Sequence, residues 1–221
     1  APDLTNDNTP TITGTTDAEA GQVVTVVITD AAGNVQTVST TVNPDGTYSV
    51  DAVTPLADGD YTAKATVSDV AGNRAEATDP GTVDTTATIS VTVPSGTDTT
   101  PTISGQTNDV EAGQVVTIVV TDKDGNAQTI STTVNPDGSY SVDVPTAVAD
   151  GGYSVSVSVT DKAGNTATAN GQGSIDSKVT ITVVAPDLTN DNTPTITGTT
   201  DAEAGQVVTV VITDAAGNVQ T

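Results

Sequence analysis

The chain has 221 residues, with 28 Asp and Glu against 5 Lys and Arg, which gives a formal net charge of −23. It contains no Cys, His, Met, Trp or Phe, and its only aromatic residues are four Tyr. This composition excludes a disulfide framework, a zinc site built from Cys or His, and thiol or imidazole catalysis. It also disfavours nucleic acid and anionic membranes as partners, because no basic patch can form. Membrane insertion is excluded because no apolar run approaches the roughly 20 residues of a membrane span.

The acidic residues are mostly aspartate, with 24 Asp and only 4 Glu. The short Asp side chain bonds the nearby backbone in turns, and it is also a good ligand for hard cations. The bias therefore predicts that the negative charge lies in loops. Low aromatic content with high net charge is also typical of disorder, but the apolar residues follow a regular pattern that disfavours a disordered chain.

An internal repeat organises the chain. Residues 1–37 and 185–221 are identical, and Gln114–Thr129 matches Gln22–Thr37 at 11 of 16 positions. Conserved turn glycines recur at intervals of 92 residues, at Gly33, Gly125 and Gly217. This predicts three units in the order A-B-A: residues 1–83, lacking a first strand, residues 84–176, complete, and residues 177–221, the N-terminal half of a third unit.

The complete unit consists of short, β-branched segments with alternating apolar residues, each bounded by turn residues. The predicted strands A to G are residues 87–93, 101–107, 115–121, 127–134, 139–144, 153–160 and 166–169 with the residues that follow. Seven short strands with regular turn signals indicate an all-β fold, a tandem of seven-stranded immunoglobulin-like β-sandwich domains in a linear array. Tyr61 and Tyr153 begin strand F, where they form either a tyrosine corner or ordinary half-buried strand contacts.

The motifs TPTI(T/S)G, EAGQVVT, NPDG(T/S)YSVD, DGxY, (S/T)DxAGN and a closing (V/I)D recur from unit to unit. Together they resemble the tandem bacterial immunoglobulin-like repeats of very large cell-surface adhesins, including calcium-dependent RTX-type adhesins exported by type I secretion. The Gly- and Asp-rich nonapeptides that name the RTX class are absent from this sequence. The resemblance implies an extracellular extender whose partners are neighbouring repeats. It also implies that Ca²⁺ stiffens the domain junctions and that the adhesive ligand is bound elsewhere in the protein.

The predicted topology sorts the acidic residues between the two ends of each domain. Loops BC, DE and FG lie at the N-terminal end, and loops AB, CD and EF lie at the C-terminal end. The first junction would then gather Asp84, Asp109, Glu111, Asp137 and Asp161 against Asp30, Asp58 and Asp60. The second junction would gather Asp176, Asp201 and Glu203 against Asp122, Asp124 and Asp150.

Crowded carboxylates repel one another, and a dication that takes 6–8 oxygen ligands would relieve that repulsion, which favours Ca²⁺ over the more demanding Mg²⁺. The alternative for any single Asp is a metal-free turn, because Asp-x-x-Gly-Asn is also a good turn sequence. The segment from Asp122 to Asn126 resembles the start of a calcium loop, but position 12 is Thr133 rather than Glu, so it is not an EF-hand.

Three functions remain open from the sequence alone. The first is a structural spacer in a surface adhesin. The second is a binding module for a glycan, a surface or another cell, although binding hot spots usually need Trp, Tyr or Arg, and Arg74 is the sole arginine. The third is an accessory module of a secreted hydrolase. Catalysis by the chain itself is disfavoured, because each candidate carboxylate recurs in a repeat and so small a sandwich offers no sizeable cleft.

Overall fold

The computed structural model describes all 221 residues. It contains β-strands and turns, and no helix that is long and apolar enough to span a membrane. The chain divides into two compact units, Ala1–Ile175 and Asp176–Thr221. The first unit contains two seven-stranded β-sandwiches, so the predicted all-β, immunoglobulin-like tandem fold is confirmed.

The first sandwich is formed by β1 (Leu4–Thr5), β2 (Thr11–Thr15), β3 (Val23–Thr29), β4 (Val35–Thr41), β5 (Thr47–Asp51), β6 (Gly59–Ser68) and β7 (Arg74–Val83). One sheet has the order β1-β7-β6-β3-β4, and β2 pairs with β5 in the other. All pairs are antiparallel except β1, which lies parallel to β7 with Leu4 opposite Thr82. The first sandwich therefore has a short first strand, β1, which pairs with its last strand β7.

The second sandwich is formed by β8 (Thr88–Ile89), β9 (Thr102–Asn108), β10 (Val115–Thr121), β11 (Ala127–Thr133), β12 (Ser139–Asp143), β13 (Gly151–Thr160) and β14 (Thr166–Ile175). Its two sheets have the orders β11-β10-β13-β14 and β12-β9-β8. The predicted first strand, residues 87–93, stays on one sheet, where β8 pairs with β9 and Thr92 bridges Ser104, and beyond its end Gly96 bridges Ile175 in parallel on the other sheet. Ile175 is the counterpart of Val83 at the 92-residue offset, and Val83 pairs with Thr5, so both sandwiches place this second part of the first strand on their last strand.

The core follows from strict alternation in the central strands. In β10, Val116, Ile118 and Val120 are at most 1% exposed, while the residues between them are less buried. The matching residues of β3, Val24, Val26 and Ile28, are buried to the same extent. Because the aliphatic side chains are small, tyrosine supplies the largest buried side chains of both cores, at Tyr61 and Tyr140.

Each tyrosine lies directly across the sheet from a glycine. The cross-strand pairs are Tyr48–Gly14, Tyr61–Gly81, Tyr140–Gly105 and Tyr153–Gly173. A Cβ atom added at any of these glycines would come within 2.4–2.7 Å of the tyrosine ring or its hydroxyl. The absence of a side chain on the glycine therefore makes room for the ring, a role of in-strand glycines that strand patterns alone do not predict.

The tyrosine hydroxyls bond to the first strand. The hydroxyls of Tyr61 and Tyr153 donate to the carbonyls of Pro2 and Pro94, at 3.1 and 2.6 Å. In both cases the acceptor lies 59 residues upstream. The alternative of a tyrosine corner, which bonds a few residues upstream, is therefore wrong, because these hydroxyls instead hold the segment that crosses between the sheets.

The second unit, residues 176–221, forms far less regular structure than predicted. Its only strands are β15 (Ile212–Thr213) and β16 (Val219–Gln220), which make an antiparallel hairpin. Two isolated bridges, Ile181 to Thr200 and Val184 to Thr197, mark the places of the expected strands A and B. The expected ladders of strands A to C do not form, because this unit contains no counterpart of β5, β6 or β7 on which they could pair.

Candidate functional site

Five Asp-x-x-Gly-Asn turns share one hydrogen-bonding pattern. In each turn one carboxylate oxygen accepts the backbone N–H of the Asn four residues later, and the other accepts the Nδ2 of that Asn. The glycine takes a φ between 82° and 102°, which side chains disfavour. The aspartates are Asp30, Asp69, Asp122, Asp161 and Asp214.

Four of these turns stabilise the charged form of their carboxyl groups. The Asn side chain is the largest cause of the lowered pKa of Asp30, Asp69, Asp122 and Asp214. Asp30 is only 6% exposed and also accepts the backbone N–H of Ala57, which joins the CD and EF loops of the first sandwich. These aspartates therefore form the predicted turns, and cation binding by Asp30, Asp122 and Asp161 stays a prediction.

Asp84, between the two sandwiches of the first unit, has the opposite electrostatic character. Burial raises the pKa of its carboxyl group, and the charges of Asp161, Asp58 and Asp109 raise it further. The structure thus brings together four of the predicted first-junction carboxylates closely enough to repel. Asp58 belongs to the first sandwich, whereas Asp109 and Asp161 belong to the second.

The backbone of Asp84 is bonded on both sides. Its N–H donates to the carbonyl of Thr5 in the first sandwich at 2.9 Å, and its carbonyl accepts the Asn165 side chain of the second at 2.7 Å. Asn165 is the last residue of the turn that Asp161 begins, so this turn also anchors the linker. Asn165 was not predicted as a site residue, although an Asn follows the glycine in all five turns, and that repetition was a usable signal.

Neighbouring threonines occupy part of the acidic cluster. The Thr85 hydroxyl contacts both carboxylate oxygens of Asp58, at 2.8 and 3.0 Å. The Thr86 hydroxyl lies 3.4 Å from Asp109, a residue held at a φ of 57°. Each threonine hydroxyl bonds to one carboxylate and brings no positive charge. The carboxylates of the cluster therefore still repel one another.

The remaining first-junction acids serve local structure. Glu111 accepts the backbone N–H of Lys162, and Asp60 accepts the Thr82 hydroxyl. Asp137 lies in the NPDG turn, where the Ser139 hydroxyl lowers its pKa. None of these three contributes to the electrostatic environment that raises the pKa of Asp84.

The chemistry of the cluster fits a hard cation, but its geometry is not that of a preformed site. Every candidate ligand atom is an oxygen, as Ca²⁺ requires. Nowhere in the chain do three or more acidic side chains converge as a metal-ligand set. Cation binding would therefore require side chains to move towards one another. Asp58, Asp84 and Asp109 are the best placed, because Asp161 accepts three separate N–H donors from Gly164 and Asn165, whereas a single hydroxyl, that of Thr85, contacts Asp58.

The acidic residues predicted for the second junction belong to two different units of the chain, Ala1–Ile175 and Asp176–Thr221. In the first unit, the Asp124 carboxylate pairs with Lys123 at 2.8 Å and raises the pKa of that lysine. The negative charge of Asp150 raises the same pKa further, and Asp122 forms its own turn. In the second unit, Asp201 accepts the backbone N–H of Thr180, which lowers its pKa, and Asp176 and Glu203 are exposed. A shared cation site among these residues stays a prediction.

Comparison with known proteins places these features in a family. The sequence profile of the bacterial Ig-like domain matches residues 2–85 and 95–177, in two tandem copies. None of the curated proteins compared with this sequence matches it.

Several solved structures of large adhesins are similar to the chain. A tetra-tandem repeat from the extending region of a large adhesion protein is 33% identical, over 98% of this chain and 59% of that one, with a TM-score of 0.42. A 1.5-MDa bacterial ice-binding adhesin is 25% identical, over 80% and 62% of the two chains, with a TM-score of 0.43. A Ca²⁺-stabilized adhesin with which an Antarctic bacterium binds ice is 26% identical, over 97% and 67%, also with a TM-score of 0.43. This chain thus spans less than two thirds of the first two structures.

Proposed function

Because the chain belongs to the bacterial immunoglobulin-like domain family, we propose that it is a structural extender of a large adhesin on the bacterial surface. Its sandwiches would act as spacers whose partners are the neighbouring repeats, and the adhesive ligand would be bound elsewhere in the protein. The proposal assigns no catalytic role to the chain. Three of the four tyrosines are buried, which leaves little of the aromatic surface on which binding modules usually rely.

The observation that carries the proposal is the two-sided bonding of the linker at Asp84. The Asp84 N–H donates a hydrogen bond to the Thr5 carbonyl in the first sandwich, and the Asp84 carbonyl accepts one from the Asn165 side chain in the second. A linker held on both sides restricts rotation between neighbouring domains, and restricted rotation is what a spacer needs. In a quasi-one-dimensional array, each repeat is stabilised only by its neighbours, so such ties set the stiffness of the whole array.

Calcium would complete this junction. Asp58, Asp84 and Asp109 would hold the ion. Its positive charge would offset the repulsion among these carboxylates, and coordination by oxygens from both sandwiches would link the two domains. Support comes from the raised pKa of Asp84 and from the oxygen-only donor set. An extracellular module of this kind binds calcium with a dissociation constant of roughly 0.1–1 mM. At a hundred times that constant, binding would stabilise the fold by about 2.7 kcal/mol per site.

Small-angle X-ray scattering of the full chain tests both parts of the proposal. Profiles would be recorded in millimolar calcium and in excess chelator, for the natural sequence, for Asp84→Asn and for the exposed control Asp17→Asn. We expect an extended particle that loses stiffness in chelator, with the calcium response absent only from Asp84→Asn. An extended particle that ignores calcium would overturn the metal and leave the extender role intact. A compact particle in both conditions would overturn the extender role itself.

A further inference from the structure

Glutamate is rare in this chain and recurs at one place in the repeat. Three of the four Glu residues, Glu19, Glu111 and Glu203, begin the EAG motif. In the first sandwich, Oε2 of Glu19 accepts the backbone N–H of Val70 at 3.1 Å. In the second, Oε2 of Glu111 accepts the backbone N–H of Lys162 at 3.0 Å. The same bond, from the EAG loop to the turn between the last two strands, therefore forms in both sandwiches.

The length of the glutamate side chain explains why this position departs from the aspartate bias of the chain. The acceptor oxygen must reach from one loop to another at the end of the sandwich, and an ionised carboxylate makes a strong bond to a backbone N–H. Aspartate carries the same charge but is one methylene shorter, so its oxygens would fall short from the same backbone position. The position therefore requires reach as well as charge.

In the second sandwich, this bond holds the turn that contacts the linker. The turn begins at Asp161 and ends at Asn165, and Glu111 bonds to its second residue, Lys162. At the other end of the turn, Nδ2 of Asn165 donates to the carbonyl of Asp84 at 2.7 Å. The same Nδ2 donates to the Asp161 carboxylate at 2.8 Å. Glu111 and the linker thus bond to opposite ends of one five-residue turn.

This turn also lies against the first sandwich. A Cβ atom built on Gly164 would come within 3.3 Å of the Asn6 side chain, which belongs to the first sandwich. Asp161, at the start of the turn, is only 5% exposed. Because the turn lies between the two sandwiches, a change in its orientation would change the angle between them.

The first sandwich contains the same turn without a linker contact. Its turn begins at Asp69 and ends at Asn73, and Glu19 bonds to its second residue. Nδ2 of Asn73 donates to the Asp69 carboxylate at 2.7 Å and to no linker carbonyl, and Asn73 is exposed. In this structure Glu19 therefore has a local role, which makes it a matched comparison for Glu111.

We propose that Glu111 is the positioning residue of the junction between the two sandwiches. It does not touch the linker. By fixing one end of the turn, it fixes the orientation in which Asn165 reaches the Asp84 carbonyl, and so the angle between neighbouring domains. This role rests on the proposed extender function, because a fixed angle matters only if the domains form a stiff array.

Pulsed electron paramagnetic resonance on the full chain tests this role, because the natural sequence contains no Cys that would take up spin labels. Labels would be attached at Thr37→Cys and Thr129→Cys, two exposed strand positions, one on each sandwich. Asn165→Ala removes the linker bond itself and gives the distance distribution of a released junction. In chelator, we expect a narrower distribution for the natural chain, and for Glu111→Ala a distribution as broad as that of Asn165→Ala.

Three further variants separate reach from charge and identify the path of the effect. Glu111→Gln keeps the length and an acceptor oxygen, so the narrow distribution should be retained. Glu111→Asp keeps the charge but loses the reach, so the distribution should broaden. Glu111→Ala combined with Asn165→Ala should be no broader than either single variant, since both residues act through one turn.

Glu19→Ala is the matched control, because it removes the same bond from the first sandwich. Glu19→Ala and Glu111→Ala should lower the melting temperature by similar amounts, but only Glu111→Ala should broaden the distribution. Equal broadening by both, or a narrow distribution in Glu111→Ala, would overturn the role of Glu111 and leave the extender role intact. A natural chain as broad as Asn165→Ala in chelator but narrow in calcium would mean the same. A natural chain that is this broad in both conditions would overturn the extender role as well.

Discussion

Aspartate side chains in this protein meet two opposite electrostatic environments. In the Asp-x-x-Gly-Asn turns, Asn side chains and backbone N–H groups surround the carboxylate and lower the pKa of residues such as Asp30 and Asp122. At the linker, burial and three neighbouring carboxylates raise the pKa of Asp84. The same residue type therefore stabilises a turn where hydrogen-bond donors face it, and destabilises the fold where other carboxylates face it.

Replacing Asp84 with Asn should stabilise the calcium-free protein at neutral pH. A raised folded pKa means that ionising Asp84 opposes folding at any pH above that value, and that the penalty disappears as the pH falls below the unfolded value of 3.8. Asp84→Asn should therefore raise the melting temperature in chelator at pH 7, and the gain should shrink towards zero on acidification. Far-UV circular dichroism melts across this range measure the difference.

The control for Asp84→Asn is Asp17→Asn, which removes one exposed charge from the first sandwich far along the chain from the linker. If the control gave an equal gain, general charge relief rather than the local cluster would explain the result. A gain that stayed constant down to low pH would contradict the assigned titration of Asp84.

At the scale of strands, alternation and turn chemistry were sufficient to predict the sandwich. Strand β10 begins and ends at the predicted residues because both of its ends are marked by turn sequences. The first strand was predicted over residues 87–93, and the sequence did not predict that the chain then reaches the other sheet at Gly96, a contact that depends on the neighbouring strands. The acidic cluster around Asp84 was partly predictable from topology, whereas the linker contact of Asn165 depends on three-dimensional packing.

The tyrosine–glycine pairs make a sharp prediction about β14. Gly173→Ala would place a Cβ 2.3 Å from the carbonyl oxygen of Pro94 and 2.7 Å from the Tyr153 ring. Because one of these atoms is backbone, the strand must shift, and overpacking of this kind costs about 1–3 kcal/mol. Urea unfolding of the full chain measures this loss.

Gly152→Ala is the matched control for Gly173→Ala. Gly152 lies on the neighbouring strand β13, and an added Cβ there meets no atom within 4 Å. Its stability should be unchanged or higher by about 0.4–1 kcal/mol, since alanine restricts the unfolded chain. Equal destabilisation by both substitutions would show that loss of glycine flexibility, rather than contact with the tyrosine, is responsible.

The duplicated segment allows one substitution to be tested in two contexts. Ile28→Ala removes a side chain that is 0% exposed and should cost about 2–5 kcal/mol. Ile212→Ala changes the identical sequence position where the side chain is 38% exposed, and it should change stability by less than about 0.5 kcal/mol. Both would be measured by urea unfolding at low protein concentration. Comparable losses would mean that residues 185–221 are packed as fully as residues 1–37.

For the whole molecule, the dominant quantity is the net charge of −23. Only a few ion pairs offset it, and these lie at the surface, as with Lys64 and Glu76. Such exposed pairs contribute little to stability. The fold must therefore tolerate long-range repulsion, which salt screens over about 10 Å at 0.1 M.

The pH dependence of stability should show a maximum on the acid side of neutrality. As the pH falls from 7, protonation of Asp84 first relieves local repulsion, because its folded pKa is raised. Below the ordinary aspartate value of 3.8, the turn aspartates with lowered folded pKa values begin to lose their stabilising hydrogen bonds, and stability falls as the pH passes through those values. Calorimetric melts in chelator at closely spaced pH values should place the maximum below pH 7 and above the ordinary aspartate value of 3.8. A melting temperature that rises steadily to pH 2 would mean that net charge outweighs the turns. A steady fall from pH 7 would instead mean that the cluster at Asp84 contributes no repulsion that protonation can relieve.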